Sequence, residues 1–290
     1  MVKIVRKKSL NSTVTLMEVS APLEAARAEP GQFVILRADD NGERIPLTIA
    51  DFDRERGTVT IIFQIAGAAT WRLNRLVEGD MINDFVGPLG KPAGCGADKV
   101  AIIGGGVGSA IAYPVAKKFH QKGAELHVIT GFRGKDMVIL EKEFRALSGK
   151  FFLMTDDGSY GRRGLVTEAL QMLLDNREHY DEVIAIGPLV MMKFVAALTK
   201  PYGIKTTVSM NPIMIDGTGM CGGCRLSVGG KTKFACVDGP DFDGHEVDFN
   251  EAIARSAMYK PFEARAMETC KLFDAGKPAA EIAVAARRVS

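Results

Sequence analysis

Hydrophobic and polar positions alternate with a strand-like period through roughly the first 95 residues. Ser12–Val19 places Val14 and Leu16 on one face, and the runs at 31–37 (GQFVILR), 45–50 and 58–65 (TVTIIFQI) are rich in β-branched and aromatic residues. Glycine, proline and Asp/Asn clusters bound them, which predicts short strands of a small barrel or sandwich. One stretch breaks the alternation: Trp71, Leu73, Leu76 and Val77 suit a short helix over 68–77. The period changes near Lys99. Strands are predicted at 100–103, 125–130, 150–155, 181–186 and 205–209, with helices between them reaching to about 121 and over 136–147, 165–174 and 190–199. Strands alternating with helices at this spacing give a parallel, doubly wound sheet. After Met210 the chain becomes glycine- and cysteine-rich to about 245, and 249–290 reads as helical, with Met267, Cys270, Leu272 and Phe273 at helical spacing. The expected division is 1–95 (barrel), 96–209 (doubly wound), 210–248 (cysteine segment) and 249–290 (helical segment), with the first boundary near Pro92–Asp98.

Composition narrows the class. The 290 residues carry 37 basic and 35 acidic side chains, a net charge of +2, with 47% hydrophobic and 25% charged residues. This balance argues against a basic nucleic-acid footprint and against an acidic disordered chain. The first 22 residues have no apolar core of a signal peptide, and the uncharged stretch 100–116 contains four glycines and a proline and is short for a bilayer span. Three of the five cysteines fall within 16 residues, unlike a secreted disulfide framework. A cytoplasmic protein without membrane or nucleic-acid partners is expected.

Three segments carry candidate chemistry. Gly104-Gly105-Gly106-Val107-Gly108 follows a strand and opens a helix. A phosphate needs backbone N–H groups at a helix N-terminus, and side chains would block that approach. Gly104, Gly106 and Ser109 fill the three small positions of a dinucleotide turn, but no acid ends the next predicted strand, so a ligand-free tight turn is the alternative. The second segment holds Cys221, Cys224 and Cys236 in a C-x2-C-x11-C pattern. Asp216 stands five residues before Cys221, where the plant-type iron–sulfur spacing has its first cysteine. Gly217, Gly219, Gly222 and Gly223 would free backbone amides to face cluster sulfides. A zinc site of the three cysteines with His245, or three free thiols, are the rivals. Cys95 and Cys270 stand alone as ordinary thiols. The third segment lies in the barrel half. Arg44-Ile45-Pro46-Leu47-Thr48-Ile49 combines a cation, a proline and a hydroxyl on one strand, Gly67-Ala68-Ala69-Thr70 opens a helix, and Gly87-Pro88-Leu89-Gly90 makes a further turn.

The order R-x-P-L-T, GPLG, GGGVG, TDDGSYG (155–161), GP-x-x-MM (187–192) and a compact cysteine cluster resembles the ferredoxin reductase-like flavoproteins. Within them the chain resembles the electron transfer subunit of dihydroorotate dehydrogenase. It is more similar still to the small subunit of NADH-dependent reduced ferredoxin:NADP oxidoreductases, also called sulfide dehydrogenases, because DGTGMCGGC has aspartate in the first ligand place. The resemblance covers about residues 1–275. It implies an antiparallel FAD-binding barrel, a nucleotide domain and a C-terminal iron–sulfur subdomain.

It also implies site residues. Pro46, Leu47 and Thr48 would meet the flavin, with the Thr48 hydroxyl near N5 as the catalytic contact. Ile62, Phe63 and Gln64 would lie along the ring system. Gly67, Ala69 and Thr70 would hold the pyrophosphate, and Gly90 would approach the cofactor. Arg44 is the candidate for the FAD phosphates, although the family's arginine stands three before the hydroxyl, where Ile45 is here. NAD(H) or NADP(H) would use Gly104, Gly105, Gly106, Val107 and Gly108, then Gly131, Phe132 and Arg133, then Asp156, Asp157 and Gly158, then Gly187, Pro188 and Met191. A [2Fe–2S] cluster would take Asp216, Cys221, Cys224 and Cys236. Electrons would pass from nicotinamide through flavin and cluster to a larger flavin and iron–sulfur subunit, and through that complex to ferredoxin. The alternatives are the dihydroorotate system itself, against which Asp216 and Asn211 argue, a single-chain reductase, and a zinc-stabilised nucleotide-binding regulator without redox function.

Overall fold

The computed structural model describes residues 1–40 and 42–274, with side chains to 269. Seven strands build the first sheet: β1 (Val2–Ser9), β2 (Val14–Ser20), β3 (Phe33–Arg37), β4 (Ile45–Asp53), β5 (Thr58–Gln64), β6 (Met81–Ile82) and β7 (Asp84–Leu89). Helix α1 (Pro22–Arg27) follows β2 and α2 (Ala68–Arg75) follows β5. The order β6-β1-β2-β5-β4-β3-β7 is antiparallel throughout and curls into a nearly closed barrel. Its core is filled by inward residues of each strand, Ile4, Met17, Val34, Leu36, Ile49, Ile61 and Phe63 among them. The strand β1 escapes the sequence reading, because Lys3 and the Arg6-Lys7-Lys8 run mask a pattern that buries only Val2 and Ile4.

The second sheet is built from β8 (Lys99–Gly105), α3 (Gly108–Gln121), β9 (Glu125–Phe132), α4 (Glu141–Leu147), β10 (Lys150–Thr155), β11 (Arg162–Arg163), α5 (Val166–Asp175), β12 (Glu182–Ile186), α6 (Leu189–Thr199) and β13 (Lys205–Ser209). Strand β8 is buried from Val100 to Gly105, as expected of a strand covered on both faces. The order β11-β10-β9-β8-β12-β13 is parallel. Chain direction across the sheet reverses between β8 and β12, so a crevice opens beyond their carboxyl ends. The helix expected over 136–147 is broken: a single 3-10 turn at Lys135–Met137 precedes α4, and Leu140 between them sits at φ 57°.

The cysteine segment forms a hairpin, β14 (Arg225–Val228) with β15 (Lys231–Phe234), then the short α7 (Ala235–Asp238) and β16 (Asp241–Asp243). Strand β16 adds to β13 as an antiparallel edge of the second sheet. The buried Cys224, Ala235 and Cys236 share one apolar cluster with Phe33 and Ile35 of the barrel and Met192 and Val195 of α6. Helices α8 (Phe249–Ala257) and α9 (Lys260–Asp274) follow. The part of the expected helical segment beyond 274, and the side chain of Cys270, lie outside the described residues. No helix among the described residues is long and apolar enough to cross a membrane.

Barrel and second sheet meet through Val14, Ala50, Ile62, Ala110, Phe132 and Ile139, which form one buried cluster. Beside it, Lys117 Nζ of α3 donates to both carboxylate oxygens of Asp51 on β4, each at 2.9 Å.

Candidate functional site

A cleft of about 2660 Å³ runs between the two sheets and on beneath α8 and the start of α9. The barrel side contributes Arg44, Pro46, Leu47 and Thr48 from the entry and first half of β4, and Ile62, Phe63 and Gln64 from β5. Along β5 side chains point alternately to opposite faces. Phe63 is 1% exposed and packs into the barrel core, so only its backbone faces the cleft, whereas Ile62 belongs to the seam between the sheets. Thr48 pairs with Phe33 of β3 in register.

The turn before α2 differs in detail from the expectation. The Thr70 hydroxyl accepts from the amides of Ala66 (3.0 Å) and Gly67 (3.1 Å) and donates to Gly67 O. Thr70 is therefore spent on capping the helix. The first amides inside α2 keep no intrahelical partner and point at the helix mouth. Open space surrounds Gly67, where a Cβ would meet nothing within 4 Å. Gly67, Ala69 and Thr70 border this mouth without lining the cleft, and Gly90 lies elsewhere: its Cα packs between Phe33 and Pro240, at 2.8 and 3.0 Å from a built Cβ.

On the second sheet, the crevice holds Gly105, Gly106, Val107 and Gly108 opposite Gly187, Pro188 and Met191. Close packing explains most of these glycines. A Cβ on Gly104 would lie 2.8 Å from Ser109 Oγ, one on Gly105 2.5 Å from Met191 Sδ, and one on Gly108 2.4 Å from the Ile186 carbonyl. Gly106 is different. It takes φ 55° and faces open space, a cradle that an anion can enter at the N-terminus of α3. The buried hydroxyls of Ser109 and Thr130 beside this turn have no hydrogen-bond partner among the described residues.

The loops after β9 and β10 interlock. Asp156 N donates to Phe132 O at 3.0 Å and Asp157 N to Arg133 O at 3.2 Å. Asp157 accepts from the amide and hydroxyl of Ser159, which hold its carboxyl below the usual range. Asp157 thus closes a turn that includes Gly158, while Gly131, Phe132, Arg133 and Asp156 line the cleft.

The four candidate cluster ligands fall into two pairs. Cys224 and Cys236 are buried with their sulfurs 3.3 Å apart, and burial with the neighbouring thiol pushes Cys236 up to about 12. Asp216 is half-buried and Cys221 is exposed. The Cys221 thiol is held low first by the Gly223 amide, at 3.5 Å, and then by the amides of Asp216 and Ile215. Two pairs of donors, each anionic once it binds a metal, suit a two-iron group, and Gly217, Gly219 and Gly222 take the positive φ that lets the intervening backbone fold around them. The zinc alternative loses its fourth ligand. His245 Nε2 is 3.1 Å from Thr199 Oγ1 on α6, and no three of the cysteines and His245 bring ligand atoms within 4.8 Å among the described residues.

Thr218 went unread in the sequence. Its amide and hydroxyl both donate to Asp216 Oδ2, and the Asp-Gly-Thr order was a turn signal that could have found it. Among the described residues, Glu125, His127 and Glu178 form the one group that brings three potential metal-ligand atoms together. Lys99 already bridges Glu125 (2.8 Å) and Glu178 (2.7 Å), and Lys150 also pairs with Glu178. These ammonium groups fill the place of a cation at the end of the sheet away from the crevice.

Residues 211–248 match the family model described as the iron–sulfur cluster binding domain of dihydroorotate dehydrogenase B. The chain is 44% identical over 262 residues to a protein of Thermotoga maritima named as a homolog of the dihydroorotate dehydrogenase B (NAD(+)) electron transfer subunit, covering 90% of this chain and 92% of that one. It is 33% identical over 233 residues to the electron transfer subunit of Fusobacterium nucleatum, covering 76% and 86%. A solved chain from the NADH-dependent reduced ferredoxin-NADP oxidoreductase, studied for flavin-based electron bifurcation, superposes with a TM-score of 0.87 at 40% identity over 92% of this chain and 97% of that one.

Proposed function

The chain belongs to the family of dihydroorotate dehydrogenase B electron transfer subunits and their homologues, and from that premise we propose that it carries electrons between NAD(P)H and a larger redox subunit by way of FAD and a [2Fe–2S] cluster. FAD, when bound, supplies the exchange between the two-electron chemistry of nicotinamide and the one-electron chemistry of the cluster. The observation that carries the reading is the two-and-two arrangement of Asp216 with Cys221 and Cys224 with Cys236, on a loop seated against the barrel.

The protein's own groups would bind and orient rather than react. Pro46 and Leu47 offer an apolar wall for the flavin ring, and Thr48 a hydroxyl beside it. The free amides at the mouth of α2 and the N-terminus of α3 would each hold a pyrophosphate. Ile62, Val107 and Phe132 exclude water from the seam where flavin and nicotinamide would meet. Arg133 and Asp156, which line the cleft, would meet the ribose. Asp216, Cys221, Cys224 and Cys236 would hold the iron.

The aspartate in the first ligand place and the 40% identical neighbour favour the ferredoxin:NADP oxidoreductase type of partner, a larger subunit with its own flavin and clusters that exchanges electrons with ferredoxin. The match of 211–248 to the dihydroorotate family model supports a second reading, delivery to a dihydroorotate-oxidising subunit.

The test is the visible spectrum of anaerobically purified protein with iron, sulfide, zinc and flavin counts. One FAD and two irons per chain are expected. A colourless protein with one zinc and no flavin, and no cofactor lost in preparation, would refute the proposal. Co-purification then decides the partner: a flavin and iron–sulfur subunit for the first reading, a dihydroorotate-oxidising one for the second. Titration with NADH against NADPH reads the nucleotide preference.

A further inference from the structure

The loop that holds Asp216 rests directly on the barrel. A Cβ on Gly217, which sits at φ 83°, would lie 2.8 Å from both Ile35 Cδ1 and Leu89 Cδ1. In the same barrel wall Ile35 pairs with Pro46 and Leu36 with Ile45. The residue that enters β4, Arg44, therefore comes up beside the cysteine segment. Ile45 is packed against the barrel core. Strand alternation then turns Arg44 away from that core. Arg44 is exposed, borders the cleft together with Ile213 and Ile215, and makes no hydrogen bond or close ion pair among the described residues. The Asp216 carboxyl accepts from the Thr218 amide and hydroxyl, and the Arg44 guanidinium lies within electrostatic reach of it.

We propose that Arg44 is a positioning and charge-balancing residue for the iron–sulfur centre, acting through Asp216, and not an anchor of the FAD phosphates. The inference rests on the reading of Asp216 as an iron ligand. Thr218 donates twice to Oδ2 and so orients the Asp216 carboxylate. Arg44 supplies a permanent positive charge within electrostatic reach of that carboxylate, beyond ion-pair distance. Reduction adds one negative charge to the cluster, and a nearby cation favours the more negative state. Arg44 should therefore raise the cluster's midpoint potential, net charge being one of the factors that set it.

The experiment compares wild type, R44Q, R44K and D216N as full-length, cofactor-loaded protein purified anaerobically. FAD and iron per chain, the EPR spectrum of the reduced cluster and a redox titration are read for each. R44Q is expected to keep its FAD. At a fixed potential its ratio of reduced to oxidised cluster falls by up to about tenfold, equivalent to about 59 mV for a one-electron couple, and R44K recovers most of the difference. Loss of iron from R44Q with FAD retained would also support the proposal. An R44Q protein that loses FAD while its EPR spectrum and cluster midpoint stay unchanged returns Arg44 to the flavin and overturns the proposal, as does a variant in which nothing changes. D216N separates the two levels of the reading. If its iron count and EPR spectrum match wild type, Asp216 is not a ligand and the inference falls with that reading. If D216N changes them and R44Q is silent, only the inference falls.

Discussion

Replacing Asp241 with asparagine should stabilise the protein at neutral pH and not in acid. Asp241 opens β16, the strand that ties the cysteine segment to the second sheet, and pairs with Ser209 of β13 in register. Burial of its carboxyl raises the pKa from 3.8 to about 6; Ser209 donates a hydrogen bond that works the other way, and the nearby Glu182 raises it further. At 1.36 kcal/mol per pKa unit this is about 3 kcal/mol of preference for the neutral acid. The sign follows from proton counts. Between about pH 4 and 6 the folded state holds a proton that the unfolded chain has released, so stability falls as pH rises through that window. Below it the side chain is neutral in both states and nothing is lost. Asparagine stays neutral throughout but weakens the bond with Ser209, worth about 1 kcal/mol. The variant should therefore be about 2 kcal/mol more stable at pH 7.5, and equal to or slightly less stable than wild type at pH 4. Urea unfolding of the cofactor-loaded proteins between pH 4 and 8 measures the difference, with cofactor binding common to both. A D241N variant that is less stable at pH 7.5 by an amount independent of pH would mean that the carboxylate is ionised and held by donors, and the reasoning would be wrong.

Three other outcomes are expected. Gly108→Ala puts a methyl 2.4 Å from the Ile186 carbonyl and 2.7 Å from Gly187 Cα, so it should weaken nicotinamide binding at least about fivefold, in line with the 1–3 kcal/mol typical of overpacking. Flavin content should hold, and quenching of flavin fluorescence by added nucleotide reads the affinity. Phe63→Ala empties a fully buried site in the barrel core and should destabilise by about 3–5 kcal/mol, whereas Gln64→Ala, on the half-exposed next position, should stay within about 0.5 kcal/mol and alter the flavin absorption bands instead. Denaturation curves and spectra of the pair separate the two effects. His245→Ala should leave iron and sulfide per chain unchanged, because its ring is engaged by Thr199; loss of one metal per chain would revive the Cys3His site.

Periodicity made most of the architecture legible. The buried run of β8, the glycine turn after it and the regular return of strand and helix gave the second sheet, and short alternating strands gave the barrel. The misses have physical causes. Strand β1 looks like a basic tail because its exposed face is lysine and arginine. The 136–147 helix broke because Leu140 takes a left-handed conformation, which no local residue type announces. Strand β16 is three residues long and exists only because β13 offers an edge. At the site, residue types were readable and their orientation was not. Phe63 and Ile62 carry the same hydrophobic signal, yet the pleat sends one into the core and the other to the seam. Thr70 looked like a phosphate donor and is used up by its own helix. Gly90 looked like a close approach to a ligand and is a close approach to Phe33 and Pro240.

The docking of the cysteine loop on the barrel has a consequence for how electron transfer can be organised in one chain. A cluster loop attached only through its own hairpin would keep the freedom of that hairpin, and its separation from the flavin strand would vary. Here Gly217 is pressed onto Ile35 and Leu89, and Cys224, Ala235 and Cys236 share an apolar cluster with Phe33, the register partner of Thr48. The strand pair β3–β4 thus meets the proposed flavin site through Pro46, Leu47 and Thr48 and the proposed iron site through Ile35 and Arg44. Close packing transmits position with little slack, so both centres would be held by one rigid element. Binding constellations built on strands are held more closely than those on loops. The glycines of the cysteine segment then serve two ends at once: they let the backbone fold around the ligands, and at Gly217 the missing Cβ lets the loop come close enough for the barrel to fix it.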